Sequence, residues 1–252
     1  MSTIRGARER ARTEVAAAIK DEARRQLAEE GAAKLSLRAV ARELGMASSA
    51  LYRYFPSRDD LLTALIIDAY NAVGEAAEAA RASAGGSTGP HPARWTGVAC
   101  AVREWALAHP HEYALIYGSP VPGYAAPQDT VGPASRVAMI LFDVVRDARR
   151  AGSLAVPPLA GELRPEAERM AADFAPDLPP AVVAAFVVAW AQLFGLISFE
   201  LFGQFHRVVE ARDELFRQAA HGLARSVGLI DEPAGLLPGE QARRQPADHQ
   251  DQ

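Results

Sequence analysis

Leu37-Arg38-Ala39-Val40-Ala41-Arg42-Glu43-Leu44-Gly45-Met46 leads, through Ala47-Ser48-Ser49-Ala50, into Leu51-Tyr52-Arg53-Tyr54-Phe55-Pro56-Ser57-Arg58-Asp59-Asp60-Leu61-Leu62. More than any other stretch, this one sets the expected fold. Leu37, Val40, Ala41 and Leu44 recur at helical spacing, and Ser36 stands where a hydroxyl caps a helix start. Gly45 stops that helix after two turns, as a glycine just past a helix end does. A second short helix is expected from Ser48 to about Phe55, with Leu51 and Phe55 on one face. Phe55-Pro56 ends it, because the residue before proline avoids the helical region. Ser57-Arg58-Asp59-Asp60 fits a capping box, opening a third, long helix with Leu62, Leu65, Ile66, Ala69, Tyr70 and Val73 as its apolar stripe.

Two short helices joined at a glycine turn have the geometry of a helix-turn-helix. The first buries its stripe and braces the second. That leaves Ser48, Ser49, Tyr52, Arg53 and Tyr54 on faces that Leu51 and Phe55 do not occupy. Hydroxyls, phenols and a guanidinium bond phosphates and base edges in a major groove. From these residues alone a solvated hairpin in an ordinary helical bundle stays open as an alternative.

The same residues closely resemble the DNA-binding head of the TetR family of bacterial transcriptional regulators, over about residues 10–70. The core Leu-Tyr-x-Tyr-Phe-Pro-Ser-Arg carries the match. The resemblance implies a recognition helix over residues 47–55, with Ser48, Ser49 and Arg53 facing bases. It implies that Tyr52, Tyr54 and Arg58 hold phosphates, with Ser36 capping its helix near the DNA backbone. An extended Arg-rich tail, Arg5 to Arg12, would reach a flanking minor groove. One position departs from the family: Ala47 stands where Ser or Thr is usual, so Ser48 would take over the cap one residue later.

Outward from the head, charge divides unevenly. Residues 1–60 carry 12 Lys and Arg against 9 acids, a net of +3, and the remainder carries a net of −7. The whole-chain charge of −4 would by itself argue against nucleic acid, so the split matters: a basic head sits on an acidic body. The 252 residues allow one large or two modest domains, and 49% hydrophobic residues suffice for a core. Strand signals are almost absent, whereas alanine and apolar residues at three- and four-residue spacing run throughout. The expected fold is all-α. A three-helix head over 1–58 precedes a larger helical effector-binding and dimerisation domain over 59–230, about nine helices in all. A disordered tail is expected over 231–252.

In the body, residues 92–108 predict an amphipathic helix with Trp95, Val98, Val102 and Trp105, broken at His109-Pro110. Residues 111–117 predict a short aromatic helix, and 118–127 a loop too rich in Pro and Gly for regular structure. The stretch 105–127 resembles the C-terminal effector domain called WHG in one branch of the TetR family. Trp105, His109, Tyr113, Tyr117, Tyr124 and Phe142 together supply aromatic walls with a few polar tips, which suit a small-molecule pocket. For each taken singly, plain core packing is the commoner role of an aromatic at helical spacing.

Residues 181–199 run nineteen long without a charge, long enough to span a membrane. Their flanks are Asp177 and Glu200 rather than basic anchors, and no second span exists. A buried helix fits better, and in the TetR family two C-terminal helices of each subunit form a four-helix dimer interface. Residues 181–205 and 210–227 resemble that pair, with Ala184, Val188, Gly195, Phe199 and Phe202 at the contact.

No phosphate-cradling glycine loop or His-Glu-x-x-His zinc motif is present. His109 and His111, at i and i+2, do not share a helix face. A single cysteine, Cys100, leaves no disulfide framework or cysteine-based zinc site. No catalytic residues, metal or cofactor are expected, and the charged N-terminus without an apolar run predicts a cytoplasmic protein. The expectation is a homodimeric, ligand-responsive repressor that binds a palindromic operator in double-stranded DNA and is released by an unknown small-molecule effector. The rival readings are a ligand-independent or architectural DNA-binding protein, and a helical enzyme or carrier with a vestigial head.

Overall fold

The computed structural model describes residues 2–83 and 88–231, with side chains from Gly6 onward. Ten α-helices make up the described residues: α1 (Ser2–Glu30), α2 (Leu37–Glu43), α3 (Ser48–Leu51), α4 (Arg58–Ala82), α5 (His91–Ala108), α6 (Pro110–Tyr117), α7 (Val131–Arg150), α8 (Arg164–Phe174), α9 (Pro180–Leu201) and α10 (Arg212–Val227). No strand forms among them; a lone antiparallel bridge joins Leu154 to Leu229. The expected tail lies almost wholly outside the described residues.

The local signals of the head act as read. The Ser36 hydroxyl accepts from the Ala39 N–H at 3.4 Å, and Gly45 takes a φ of +63° that ends α2. Ser57 accepts from the Asp60 N–H at 3.1 Å, while its own hydroxyl donates to the Asp60 carboxylate at 2.7 Å. Two expectations need correction. The segment bearing Arg8, Arg10 and Arg12 is helical rather than an extended tail. Arg, Ala and Glu are good helix formers, no proline interrupts them, and the helix already nucleated downstream simply propagates. The second helix is a single turn, Ser48–Leu51, whose N-cap is Ala47 without a side-chain bond.

Two apolar clusters result. The head cluster gathers Ile19, Ala23 and Leu27 of α1, Leu35, then Leu37, Val40 and Ala41 of α2, and Leu51. It also takes in Leu61, Leu62 and Leu65, so the head extends past residue 58 into the first two turns of α4. The larger cluster joins the rest of α4 with α5 to α10 around Trp95, Tyr113, Phe142, Phe186 and Phe194.

α4 is thus shared: its start belongs to the head and its remainder to the body. Arg136 of α7 clamps that remainder, donating to both Glu78 carboxylate oxygens at 3.0 and 2.9 Å and to the Asn71 carbonyl and side-chain oxygens at 3.1 and 2.8 Å. Gly74 permits the approach, since a Cβ there would lie 2.8 Å from Arg136 Nε.

Candidate nucleic-acid interface and effector core

On the head, Ser48, Ser49, Tyr52 and Arg53 are exposed side by side, with Leu51 fully buried beneath them. Leu51 anchors the turn while its neighbours reach outward, which is what a reading element needs. Tyr54 is half-buried and packs on the head cluster, and Ser36 is occupied in capping α2. Arg58 points inward: its Nη2 donates to the Ala32 carbonyl at 2.8 Å and lies 3.4 Å from that of Ala33. The interface offers hydroxyls, a phenol and a guanidinium, all donors suited to phosphates and base edges.

In the body the six expected pocket residues do not converge on one point. Tyr113 and Tyr117 adjoin, with ring centroids 5.1 Å apart. Trp105 stacks on His109 at 5.2 Å, and His109, exposed, turns its Nδ1 back to the Trp105 carbonyl at 2.9 Å. Tyr124 sits against the head instead, its hydroxyl 2.9 Å from Thr63 Oγ1. Phe142 stacks on Phe186 at 3.8 Å.

An aromatic row on α9, a helix that the family resemblance assigns to a dimer interface, links Phe142 to Tyr117. Phe186, Trp190 and Phe194 recur every fourth residue, the spacing that aligns one helix face. Trp190 lies 4.4 Å from Phe194, and Phe194 lies 4.3 Å from Tyr117. Tyr70 of α4 meets Tyr117 edge-on at 5.9 Å. That i, i+4 repeat was visible in the sequence, but a helix apolar all round gives no sign of which side faces inward.

The polar tips differ. The Tyr113 hydroxyl donates to the Phe194 carbonyl at 3.1 Å and pairs with Ser198 Oγ at 2.9 Å. The Tyr117 hydroxyl is buried and finds no hydrogen-bond partner among the described residues. Burial pushes the Tyr117 phenol far above the usual range, with Tyr70 and Tyr113 adding to the effect. Burial raises Tyr113 too, partly offset by the Ser198 bond. Beside this core, a hollow of about 570 Å³ is lined by Ile66, Tyr70, Ile116, Tyr124, Thr130 and Ser135 among others.

The aromatic core and the head meet at α6. Arg24 of α1 donates to Glu112 of α6 at 3.0 Å and to Asp68 of α4 at 2.7 Å, and Lys20 joins Asp68 at 2.7 Å. Leu115, Val121 and Tyr124 add apolar packing onto the head cluster. The helix that carries Tyr113 and Tyr117 is therefore tied directly to the first helix of the head.

Of the expected dimer residues, Val188, Phe199 and Phe202 are exposed and Gly195 half-exposed, whereas Ala184 is buried within its own chain. Val187, Ala191 and Gln192 complete the exposed stripe. Although α9 is apolar enough to cross a membrane by length and composition, it is a core helix with one open face. Among the described residues no group of His, Cys, Asp and Glu could hold a metal ion.

Residues 19–65 match the family model described as bacterial regulatory proteins, tetR family, and residues 95–223 match that of the tetracyclin repressor-like C-terminal domain. The HTH-type transcriptional regulator Rv1816 of Mycobacterium tuberculosis is 41% identical over 211 residues, 79% of this chain and 86% of that protein. This chain belongs to the TetR family. It is accordingly a DNA-binding transcriptional regulator and not an enzyme. The crystal structure of SCO4313 is similar at 37% identity, a TM-score of 0.68, and coverage of 85% of this chain and 97% of that one. The TetR family transcriptional regulator PfmR from Thermus thermophilus shares the fold at 16% identity and a TM-score of 0.55, over 82% of this chain and 97% of its own.

Proposed function

We propose that this TetR-family regulator is a homodimeric, cytoplasmic repressor that binds a palindromic operator and is released by a small, uncharged effector. The observation that carries the reading is the half-covered α9. One side, with Val182, Val183, Phe186, Leu193 and Ile197, is core. The other leaves Val187, Val188, Phe199 and Phe202 in solvent, each at least 41% exposed. Exposed Leu215 and the small residues Ala219 and Gly222 of α10 continue that face. A contiguous apolar surface of this kind supports burial against a second copy, because a two-fold axis makes one patch self-complementary. Two heads related by that axis would read two half-sites about 34–36 Å apart, or a wider multiple.

Ser48, Ser49 and Arg53 are assigned to base edges and Tyr52 to a phosphate, with Tyr54 and Ser36 supporting them at the interface. The effector assignment rests on the neutral aromatic core: Tyr113, Tyr117, Tyr70 and Phe194 offer apolar walls, and the Tyr117 hydroxyl a bond for a ligand atom to satisfy. Trp105, His109, Tyr124 and Phe142 stand at its periphery. An effector that prefers one disposition of α6 would act on the head through Glu112 and Arg24, with a coupling typical of allosteric proteins, about 1–3 kcal/mol.

Selection from random duplexes tests the operator, sedimentation the dimer, and a thermal-shift metabolite screen followed by operator release the effector. Enrichment without a palindrome, a monomer at micromolar concentration, or stabilising ligands that leave operator affinity unchanged would each sink its part.

A further inference from the structure

The cations of the head fall into two groups. Lys20, Arg24 and Arg25 are engaged by carboxylates, with contacts of 2.7 Å to Asp68, Asp68 and Glu22 respectively. Lys34, Arg38 and Arg53, together with Arg8, Arg10 and Arg12 of α1, are exposed and make no ion pair among the described residues. Arg42 approaches only Glu43, at 3.5 Å, with 76% of its side chain exposed.

Arg58 belongs with the engaged group, although the family resemblance implies a phosphate contact. Its guanidinium crosses from the first residue of α4 to the Ala32 carbonyl at 2.8 Å, in the turn between α1 and α2, and only 27% of the side chain is exposed. Asp59, 3.4 Å away, and Asp60 flank it, so the start of α4 carries more negative than positive charge. A phosphate approaching there meets two carboxylates and a guanidinium already bonded to a backbone oxygen. α2 and α3 lie between the two ends of that bond in sequence. By contrast Arg38 and Arg42, four residues apart, project from the same side of α2 into solvent.

We infer that Arg58 is a positioning residue that ties the α1–α2 turn to the start of α4, and so sets the presentation of α3. The charge that meets phosphates is then supplied by the unengaged cations, Lys34, Arg38 and Arg42 among them. This goes beyond the proposed function and depends only on the head binding DNA, not on a dimer, palindrome or effector.

The test is the salt dependence of binding to a duplex of random sequence, read by fluorescence anisotropy on the full chain. Removing one phosphate-neutralising side chain lowers the slope of log K against log salt by about 0.9. Arg38→Ala and Arg42→Ala are expected to lower it, and Arg58→Ala to leave it unchanged. On a duplex selected by the wild-type protein, Arg58→Ala should weaken binding about tenfold, through loss of a charge-assisted bond that orders the reading face. Arg58→Lys separates the roles without depending on whether the alanine variant folds. It keeps the charge but not the planar fork, so a brace predicts an unchanged slope with weakened selected-site binding. Wild-type behaviour of Arg58→Lys on both duplexes, or a slope reduced by Arg58→Ala as much as by Arg38→Ala, overturns the inference. Failure of the wild-type protein to bind any duplex would instead strike the DNA-binding role itself.

Discussion

Two neighbouring tyrosines make opposite predictions. Tyr113 and Tyr117 stand one helical turn apart on α6 with their rings 5.1 Å apart, in the same apolar surroundings. The Tyr113 hydroxyl has two partners, the Phe194 carbonyl and Ser198 Oγ. Each net hydrogen bond contributes about 1 kcal/mol, so Tyr113→Phe should destabilise by about 1–2 kcal/mol, more if the Phe194 carbonyl is left unsatisfied. The Tyr117 hydroxyl has none among the described residues, so its burial is an uncompensated cost of about 1–3 kcal/mol. Tyr117→Phe keeps the ring contacts with Tyr70 and Phe194 and removes only that atom. It should raise stability by up to that amount, or about 2–4 °C in melting temperature per kcal/mol. Urea unfolding at one fixed protein concentration measures both variants, with an unchanged m-value as the check that compactness is preserved. Destabilisation by Tyr117→Phe as large as that of Tyr113→Phe would contradict this account of the two hydroxyls. A buried hydroxyl with no partner among the described residues is also the one expected to serve a ligand, so the stabilised variant should respond more weakly to any effector found.

Other predictions bear on separate parts of the molecule. The double substitution Val188→Glu with Phe199→Glu puts carboxylates on the open face of α9, and should weaken self-association at least about a hundredfold in sedimentation while leaving the helical circular dichroism intact. Gly228 ends α10 at a φ of +108°, and a Cβ there would stand 2.0 Å from the Ala155 carbonyl oxygen; Gly228→Ala should cost well over about 1 kcal/mol in urea unfolding. Asp147 gathers Arg94, Arg150 and Arg81. Burial works to raise its pKa, but the bonds from Arg94 and Arg150 and the charges of Arg94 and Arg81 outweigh it and hold it below the usual range. Its stabilisation is thus present above about pH 4, where unfolded aspartates are ionised, and is lost as the pH falls through the lower folded value. Asp147→Asn should accordingly lower the unfolding midpoint at pH 7, with the two curves converging below about pH 3.

The head was legible because its signals are local. Ser36, Gly45 and Ser57 each act on the backbone within a few residues, so α2 starts and stops and α4 starts where they dictate, whereas α3 ends at Leu51, short of Pro56. The body was legible only as a set of helices. Trp105, His109 and Tyr124 read as pocket aromatics by composition, yet His109 lies in solvent and Tyr124 leans on the head. Phe186, Trp190 and Phe194, which hold the aromatic core together, read as part of a dimer helix because α9 is apolar on every side. Periodicity cannot choose a face where every face is alike.

The all-helical architecture, the helix-turn-helix and the family were all readable from the amino acids alone, since caps, glycine turns and a contiguous motif act at short range. So was the separation of a basic head from an acidic body. The direction in which side chains turn was settled in three dimensions. Folding sent Arg58 inward to the Ala32 carbonyl, extended α1 through the arginine-rich start, and left the Tyr117 hydroxyl buried without a bond among the described residues. It tied α6 to α1 through Glu112 and Arg24, residues 88 apart in the chain. A guanidinium is chemically able to hold either a phosphate or a carbonyl, and which one it meets depends on what distant segments bring within about 3 Å.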